Sequence, residues 1–272
     1  MKKLFILTIL LLFSIYGHCY ADIPYGNNPE VGQFYDIRGF KMYVEEYGKG
    51  QPLLLIHGNG GSINAFRKNI SYFAENYRVI ATDSRAHGKS TDNTDSLSFE
   101  MMADDEAALL EKMGIDSAYV IGWSDGGIIA LELAIRHPDK VIKLASTGAD
   151  ICPDSTGKAV VSSYWENSKD NYAKNKDKKR LTADEKNRWK ISMLDWRQPD
   201  IPLSKLQTIP CPSLIIGGDH DLIKIEHTTL IFQNIPHAYL WILPHSGHGT
   251  LIEHTDEFNK TVDDFFKTPY RL

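Results

Sequence analysis

The string Gly122-Trp123-Ser124-Asp125-Gly126-Gly127 sets a serine between glycines placed two residues to either side. On a tight turn such a serine projects its hydroxyl, and the glycines let the flanking backbone approach closely. The pattern alone is cheap. With glycine near 7% of residues, a random chain of this length contains it with probability on the order of 0.1. Context gives it value: an apolar strand candidate, Ala118–Ile121, leads in, and a helix candidate, Gly126–Arg136, leads out. A hydroxyl becomes a strong nucleophile only when a neighbouring base takes its proton. His245 and His248 offer that base in the loop Leu243-Pro-His-Ser-Gly-His-Gly249. A carboxylate must hold the imidazole in the right tautomer. Asp219 and Asp221 follow the apolar Ile215-Ile216, and Asp150 follows another strand candidate.

Attack on a carbonyl creates an oxyanion, which needs preorganised donors. The backbone N–H of Asp125, at the start of the helix after Ser124, is one. The glycine-rich His57-Gly-Asn-Gly-Gly-Ser62 can supply the second, from Asn59 or, alternatively, Gly60. This loop lacks the G-K-[ST] ending and the G-x-G-x-x-G spacing of phosphate-binding loops. His57 reads as a residue that orders the loop.

These groups need a scaffold that brings distant loops together. From Gln33 onward the chain alternates strand and helix candidates. Strands are expected at Gln33–Ile37, Phe40–Glu46, Pro52–Ile56, Arg78–Thr82, Ala118–Ile121, Val141–Ala145, Ser213–Ile216 and Ala238–Ile242. Several are wholly apolar, as strands buried on both faces must be. Helices are expected from a Ser62 cap to about Asn76, from a Ser98 cap to Met113, over Gly126–Arg136, and over Ile252–Phe266. The alternation predicts an α/β fold with a doubly wound, mostly parallel sheet. Residues 151–208 break the rhythm. They carry no strand candidate, a basic run from Lys174 to Arg180, and Trp165, Trp189 and Trp196. This stretch reads as an inserted helical cap. Its basic run reads as a solvated helix face. Its tryptophans either line a substrate cavity, Trp196 foremost, or pack the cap onto the sheet.

The chain has 272 residues, of which 42% are hydrophobic and 24% charged. These are globular values that allow one large core. The net charge of −5 gives no sign of a nucleic-acid partner. Residues 1–21 differ from the rest: Lys2 and Lys3, an apolar run from Leu4 to Ile15, then Cys19-Tyr20-Ala21. That is the layout of a signal peptide, and it predicts an exported protein, periplasmic or secreted, with no stable membrane insertion after cleavage. The apolar run is too short to span a bilayer comfortably. Cleavage removes two lysines and no acid, leaving a charge of −7. Cys152 and Cys211 then remain, either as a disulfide or as core thiols. The expected layout is residues 1–21 as leader, 22–150 with 209–272 as core, and 151–208 as cap.

Taken together, the serine turn, the glycine-rich loop, the Gly-x-x-Asp run and the histidine loop resemble the α/β-hydrolase superfamily, in its cap-bearing serine-hydrolase branch. The resemblance covers nearly everything after residue 33. It includes Asp83-Ser-Arg-Ala-His-Gly-Lys-Ser90, similar to the family's D-x-R-G-x-G-x-S loop, with Ala86 where glycine is usual. It implies Ser124 as nucleophile, Asp221 as the acid, and His248 as the base, because Ser246-Gly247-His248 leads to Glu253 and Phe258 as in the family. Ser124 in place of a carboxylate argues against dehalogenase and epoxide-hydrolase chemistry. The implied activity is hydrolysis of an ester, thioester or amide of a small organic acid through an acyl-enzyme, without metal or organic cofactor. Rivals are a carbon–carbon hydrolase or acyltransferase of the same fold and a non-catalytic binding protein. Asp125 has two readings. A carboxylate on the first turn suits the helix dipole, worth roughly 0.3–1 kcal/mol. Alternatively it pairs with a substrate amine, since the Gly122–Gly127 string is similar to that of α-amino-acid ester hydrolases of the valacyclovir hydrolase kind.

Overall fold

The structure, a computed structural model, describes residues 23–271 except 93 and 181. The expected leader, with Cys19, lies outside the described residues. In chain order the elements are β1 (Gly32–Ile37), β2 (Phe40–Tyr47), β3 (Gln51–Ile56), α1 (Ile70–Ala74), β4 (Tyr77–Thr82), α2 (Phe99–Lys112), β5 (Ala118–Trp123), α3 (Asp125–Arg136) and β6 (Val141–Thr147). There follow α4 (Ser162–Asn175), α5 (Ala183–Arg197), α6 (Leu203–Leu206), β7 (Ser213–Gly218), α7 (Ile225–Gln233), β8 (Ala238–Leu243), α8 (Thr250–Glu253) and α9 (Thr255–Lys267). All eight expected strands are present.

The strands form one sheet in the order β1-β2-β4-β3-β5-β6-β7-β8. The first two pairings are antiparallel and the rest are parallel. Alternate residues of the central strands feed two apolar layers. Leu54, Ile56, Ile80, Val120 and Leu144 pack with Leu109 and Leu110 of α2 and Leu131 and Leu133 of α3. Leu53, Leu55, Val79, Ile121 and Ile216 pack with Phe73 of α1 and Phe258, Val262 and Phe266 of α9. Period-2 alternation in a strand with both faces covered produces this split. The parallel strands carry their C-terminal ends to one edge, where such sheets collect their binding residues.

Two helix expectations need correction. Ser62 makes no capping bond, and a short 3₁₀ turn, Ile63–Phe66, precedes α1. The turn closes through the Ala65 amide, which donates to the Ser62 carbonyl at 2.9 Å, while the Ile63 amide donates to Asp83 Oδ1 at 2.8 Å. The C-terminal helix is broken at His254 into α8 and α9. Ser98 does cap α2, accepting from the Met101 amide at 3.1 Å. Within residues 151–208, α4 to α6 lie between β6 and β7. Val160 there forms an isolated antiparallel bridge to Ile223, a contact the sequence reading did not expect. Cys152 and Cys211 are free thiols. Among the described residues no helix is long and apolar enough to cross a membrane.

Candidate active site

Ser124 ends β5 and starts α3 with φ 57° and ψ −123°. Non-glycine residues rarely hold a positive φ, and such strain costs on the order of 1–3 kcal/mol. Packing enforces it. A Cβ on Gly126 would lie 1.9 Å from the Ile56 carbonyl oxygen, and one on Gly122 would lie 2.1 Å from the Gly126 oxygen. The turn therefore presses against the end of β3. The Ser124 amide donates to Thr147 O at 2.8 Å, which ties the turn to β6.

The hydroxyl so presented meets His248. Ser124 Oγ lies 2.9 Å from His248 Nε2, and His248 Nδ1 lies 2.7 Å from Asp221 Oδ1. With Nδ1–H donating to the carboxylate, Nε2 is free to accept from the serine. Asp221 Oδ1 also accepts the Ile223 amide at 3.0 Å. The histidine loop is held from two sides: Trp123 Nε1 donates to the His248 carbonyl at 2.9 Å, and the Gly247 amide donates to Glu253 at 2.7 Å. The competing residues lie elsewhere. His245 is exposed. Asp219 is taken up by the Ser246 amide and by His220.

The glycine-rich loop after β3 lies over the turn, since a Cβ on Gly58 would come within 2.9 Å of Ser124 Cβ. Asn59 and Asp125 both line the cavity around Ser124. Among the described residues no protein acceptor takes either backbone amide. The Asn59 side chain donates to Asp125 Oδ2 at 2.9 Å and to Ile191 O of α5 at 3.2 Å, which pins loop, turn and insertion together. His57 is structural. Its Nε2 accepts the Ser84 amide at 3.1 Å, so Nδ1 carries the proton to Gly58 O at 2.7 Å. Burial lowers its pKa from 6.5 to about 3, which keeps the ring neutral. Ala86, at the family's glycine position, has φ 69°. The departure from the family pattern thus falls where glycine would relieve strain.

The cavity has a volume of about 380 Å³. Its walls hold four carboxyl groups that the triad does not use: Asp125, Asp150, Asp154 and Asp195. Among the described residues no lysine or arginine lines it. Burial raises all four above the ordinary carboxylate range, Asp154 to about 7, and repulsion from neighbouring carboxylates adds to it at Asp150, Asp154 and Asp195. Asp195 favours the charged form of its neighbour Asp125, and Asp125 in turn favours the protonated form of Asp195. The sequence reading weighed Asp125, but it weighed Asp150 only as a rival acid and missed Asp154 and Asp195. Trp196, expected to touch substrate, does not line this cavity. Adjacent residues on a helix point about 100° apart. Asp195 faces Ser124, while Trp196 turns to stack on Tyr172 at 5.0 Å and borders a smaller adjoining space.

Comparison with known proteins agrees with this architecture. A family model described as the alpha/beta hydrolase fold matches residues 51–159. The chain is 28% identical to a 2-hydroxymuconate semialdehyde hydrolase of Pseudomonas sp. (strain CF600), across 88% of this chain and 95% of that one. It is 25% identical to the human serine hydrolase BPHL, across 85% and 84% respectively. A 33% match to an acetyltransferase component of the acetoin cleaving system of Cupriavidus necator covers 49% of this chain and only 35% of that protein. The solved structure of an esterase from Exiguobacterium antarcticum superposes with a TM-score of 0.75 at 22% identity, across 87% of this chain and all of that one.

The acid cluster predicts how stability varies with pH. An unfolded Asp154 ionises near 3.8, whereas the folded one keeps its proton to about 7. Between these values the folded state binds more protons, so its contribution is full below about pH 4 and is lost as pH rises to 7. Asp154→Asn removes this loss. Its stabilisation over the wild type, read from urea unfolding, should be about 2–3 kcal/mol larger at pH 8 than at pH 5. A difference that does not vary with pH would contradict the assignment.

Proposed function

We propose that this chain, with its α/β-hydrolase fold and hydrolase relatives, is a serine hydrolase that cleaves esters, thioesters or amides of small organic acids through an acyl-enzyme. The observation that carries this reading is the chain of contacts from Ser124 Oγ through His248 to Asp221, at 2.9 and 2.7 Å. In this mechanism Oγ attacks the substrate carbonyl as its proton passes to His248 Nε2. Asp221 stabilises the resulting imidazolium and holds its orientation. The N–H groups of Asn59 and Asp125 bind the oxyanion. One such donor is worth about 3–4 kcal/mol in the transition state. Collapse sends the Nε2 proton to the leaving group, and water repeats the sequence to free the acid and regenerate Ser124.

The same walls suggest what the acyl part carries. A carboxyl-lined cavity without lysine or arginine favours a cation and disfavours a carboxylate. The Gly122–Gly127 similarity to α-amino-acid ester hydrolases points the same way. The amine reading of Asp125 therefore gains over the helix-dipole reading, and we infer that an α-ammonium binds there. A second reading, carbon–carbon hydrolysis, draws on the 28% identity to the semialdehyde hydrolase along most of both chains.

Ser124→Ala should cut ester hydrolysis by on the order of 10⁶ and abolish labelling by a fluorophosphonate. Asp221→Asn should lower kcat about 10⁴-fold. Asp219→Asn and Asp150→Asn should affect kcat far less. A severe loss of kcat in Asp150→Asn would move the acid to the end of β6.

The acyl preference has its own assay. Wild type should favour an aminoacyl ester over a neutral ester of equal size by tenfold or more. Asp125→Asn keeps an acceptor for Asn59 but loses the charge. It should bring that ratio close to one, chiefly through KM. No preference in the wild type, or equal losses on both esters, would leave Asp125 as a helix-start residue. Turnover of a vinylogous diketone in place of esters would favour the second reading.

A further inference from the structure

One carboxylate suffices for one α-ammonium, yet the cavity holds four acids. Asp150 is 6% exposed, and its Oδ1 is buried without a partner among the described residues. Leaving such an acceptor unsatisfied is costly, and a bound donor removes the cost. Asp150 and Asp154 interact electrostatically with each other and with Asp125 and Asp195. The cavity also continues. Asp154 and Asp195 line an adjoining space of about 170 Å³, which runs toward Trp196 and again, among the described residues, has no lysine or arginine. Val160, Tyr164 and Ile223 give the first cavity an apolar wall beside these acids. Two pairs of neighbouring carboxyls, Asp125 with Asp195 and Asp150 with Asp154, beside an apolar wall suit a chain with a cation at each end.

We propose that the acyl group carries two cationic nitrogens, as in an ester of a basic diamino acid, with the α-ammonium held by Asp125 and Asp195 and the distal one by Asp150 and Asp154. This rests on the reading of Ser124 as the acylated nucleophile. The methylene stem lies along Val160, Tyr164 and Ile223, and the distal ammonium donates to Asp150 Oδ1. Each bound cation lets carboxyls that otherwise keep their protons ionise, so charge in the cavity is compensated group by group.

The test compares methyl esters of lysine, norleucine and hexanoic acid, which differ stepwise by one ammonium, with purified full-length protein. Lysine ester should exceed norleucine ester by tenfold or more in kcat/KM, chiefly through KM, and norleucine should exceed hexanoate. Nε-acetyl-lysine methyl ester, tested on unaltered protein, should lose the lysine advantage. Asp150→Asn and Asp154→Asn should each pull the lysine-to-norleucine ratio toward one, and Asp125→Asn the norleucine-to-hexanoate ratio. If norleucine exceeds hexanoate but lysine does not exceed norleucine, the second cation site is overturned and the aminoacyl reading stands. If hexanoate is the best substrate, both fall. If no ester turns over, the hydrolase reading falls and takes this proposal with it.

Discussion

The structure depends on the close approach of the Ser124 turn to the end of β3. Strand β5 and helix α3 meet there with no room for a Cβ at Gly122 or Gly126. The resulting backbone, at φ 57°, is one a serine would not choose alone. The surrounding sheet imposes it, because Thr147 of β6 takes the Ser124 amide and Ile56 of β3 blocks retreat. Its consequence is positional. The hydroxyl stands at the carboxyl edge of the sheet, where β7 delivers Asp221 and β8 delivers His248. The glycine-rich loop after β3 is drawn over the same point.

A second layer of interactions keeps that arrangement in register. Asp83 accepts the Ile63 and Lys89 amides, and His57 accepts the Ser84 amide, so the 83–90 loop braces the loop that carries Asn59. Asn187 donates to Ala86 O at 3.0 Å, and Asn59 donates to Ile191 O, which ties α5 to both loops. These bonds hold Asp195 against Asp125. Asp195 and Asp125 are thus brought together by these bonds rather than by an ion pair.

Much of this was legible in the sequence, for physical reasons. Strands buried on both faces must be apolar throughout, so β3, β5 and β7 announced themselves. The serine turn, the Gly-x-x-Asp run and the histidine loop each follow such a strand, and order along the chain then located them at one edge. What stayed hidden depends on tertiary competition. Ser62 looked like a helix cap, but a short 3₁₀ turn follows it, its first residue tied to Asp83 of another loop. His254 interrupts a helix whose amphipathic pattern runs on. The helical insertion was plain from its composition, but its rotation about its own axis was not. A tryptophan is a conspicuous candidate to line a pocket, yet one residue of rotation put Asp195 beside Ser124 and left Trp196 against Tyr172, at the edge of the adjoining space. Asp154 opens a single 3₁₀ turn, Asp154–Thr156, and carries no local signal.

The central claim is that Ser124 becomes covalently acylated, and trapping the acyl-enzyme tests it most directly. The protein is mixed with an activated aminoacyl ester, quenched in acid within milliseconds, digested, and mapped by peptide mass. The account predicts the acyl mass on the peptide containing Ser124, at a fraction that falls as the ester is consumed. Acyl on another residue, or none on any residue while turnover proceeds, would contradict it.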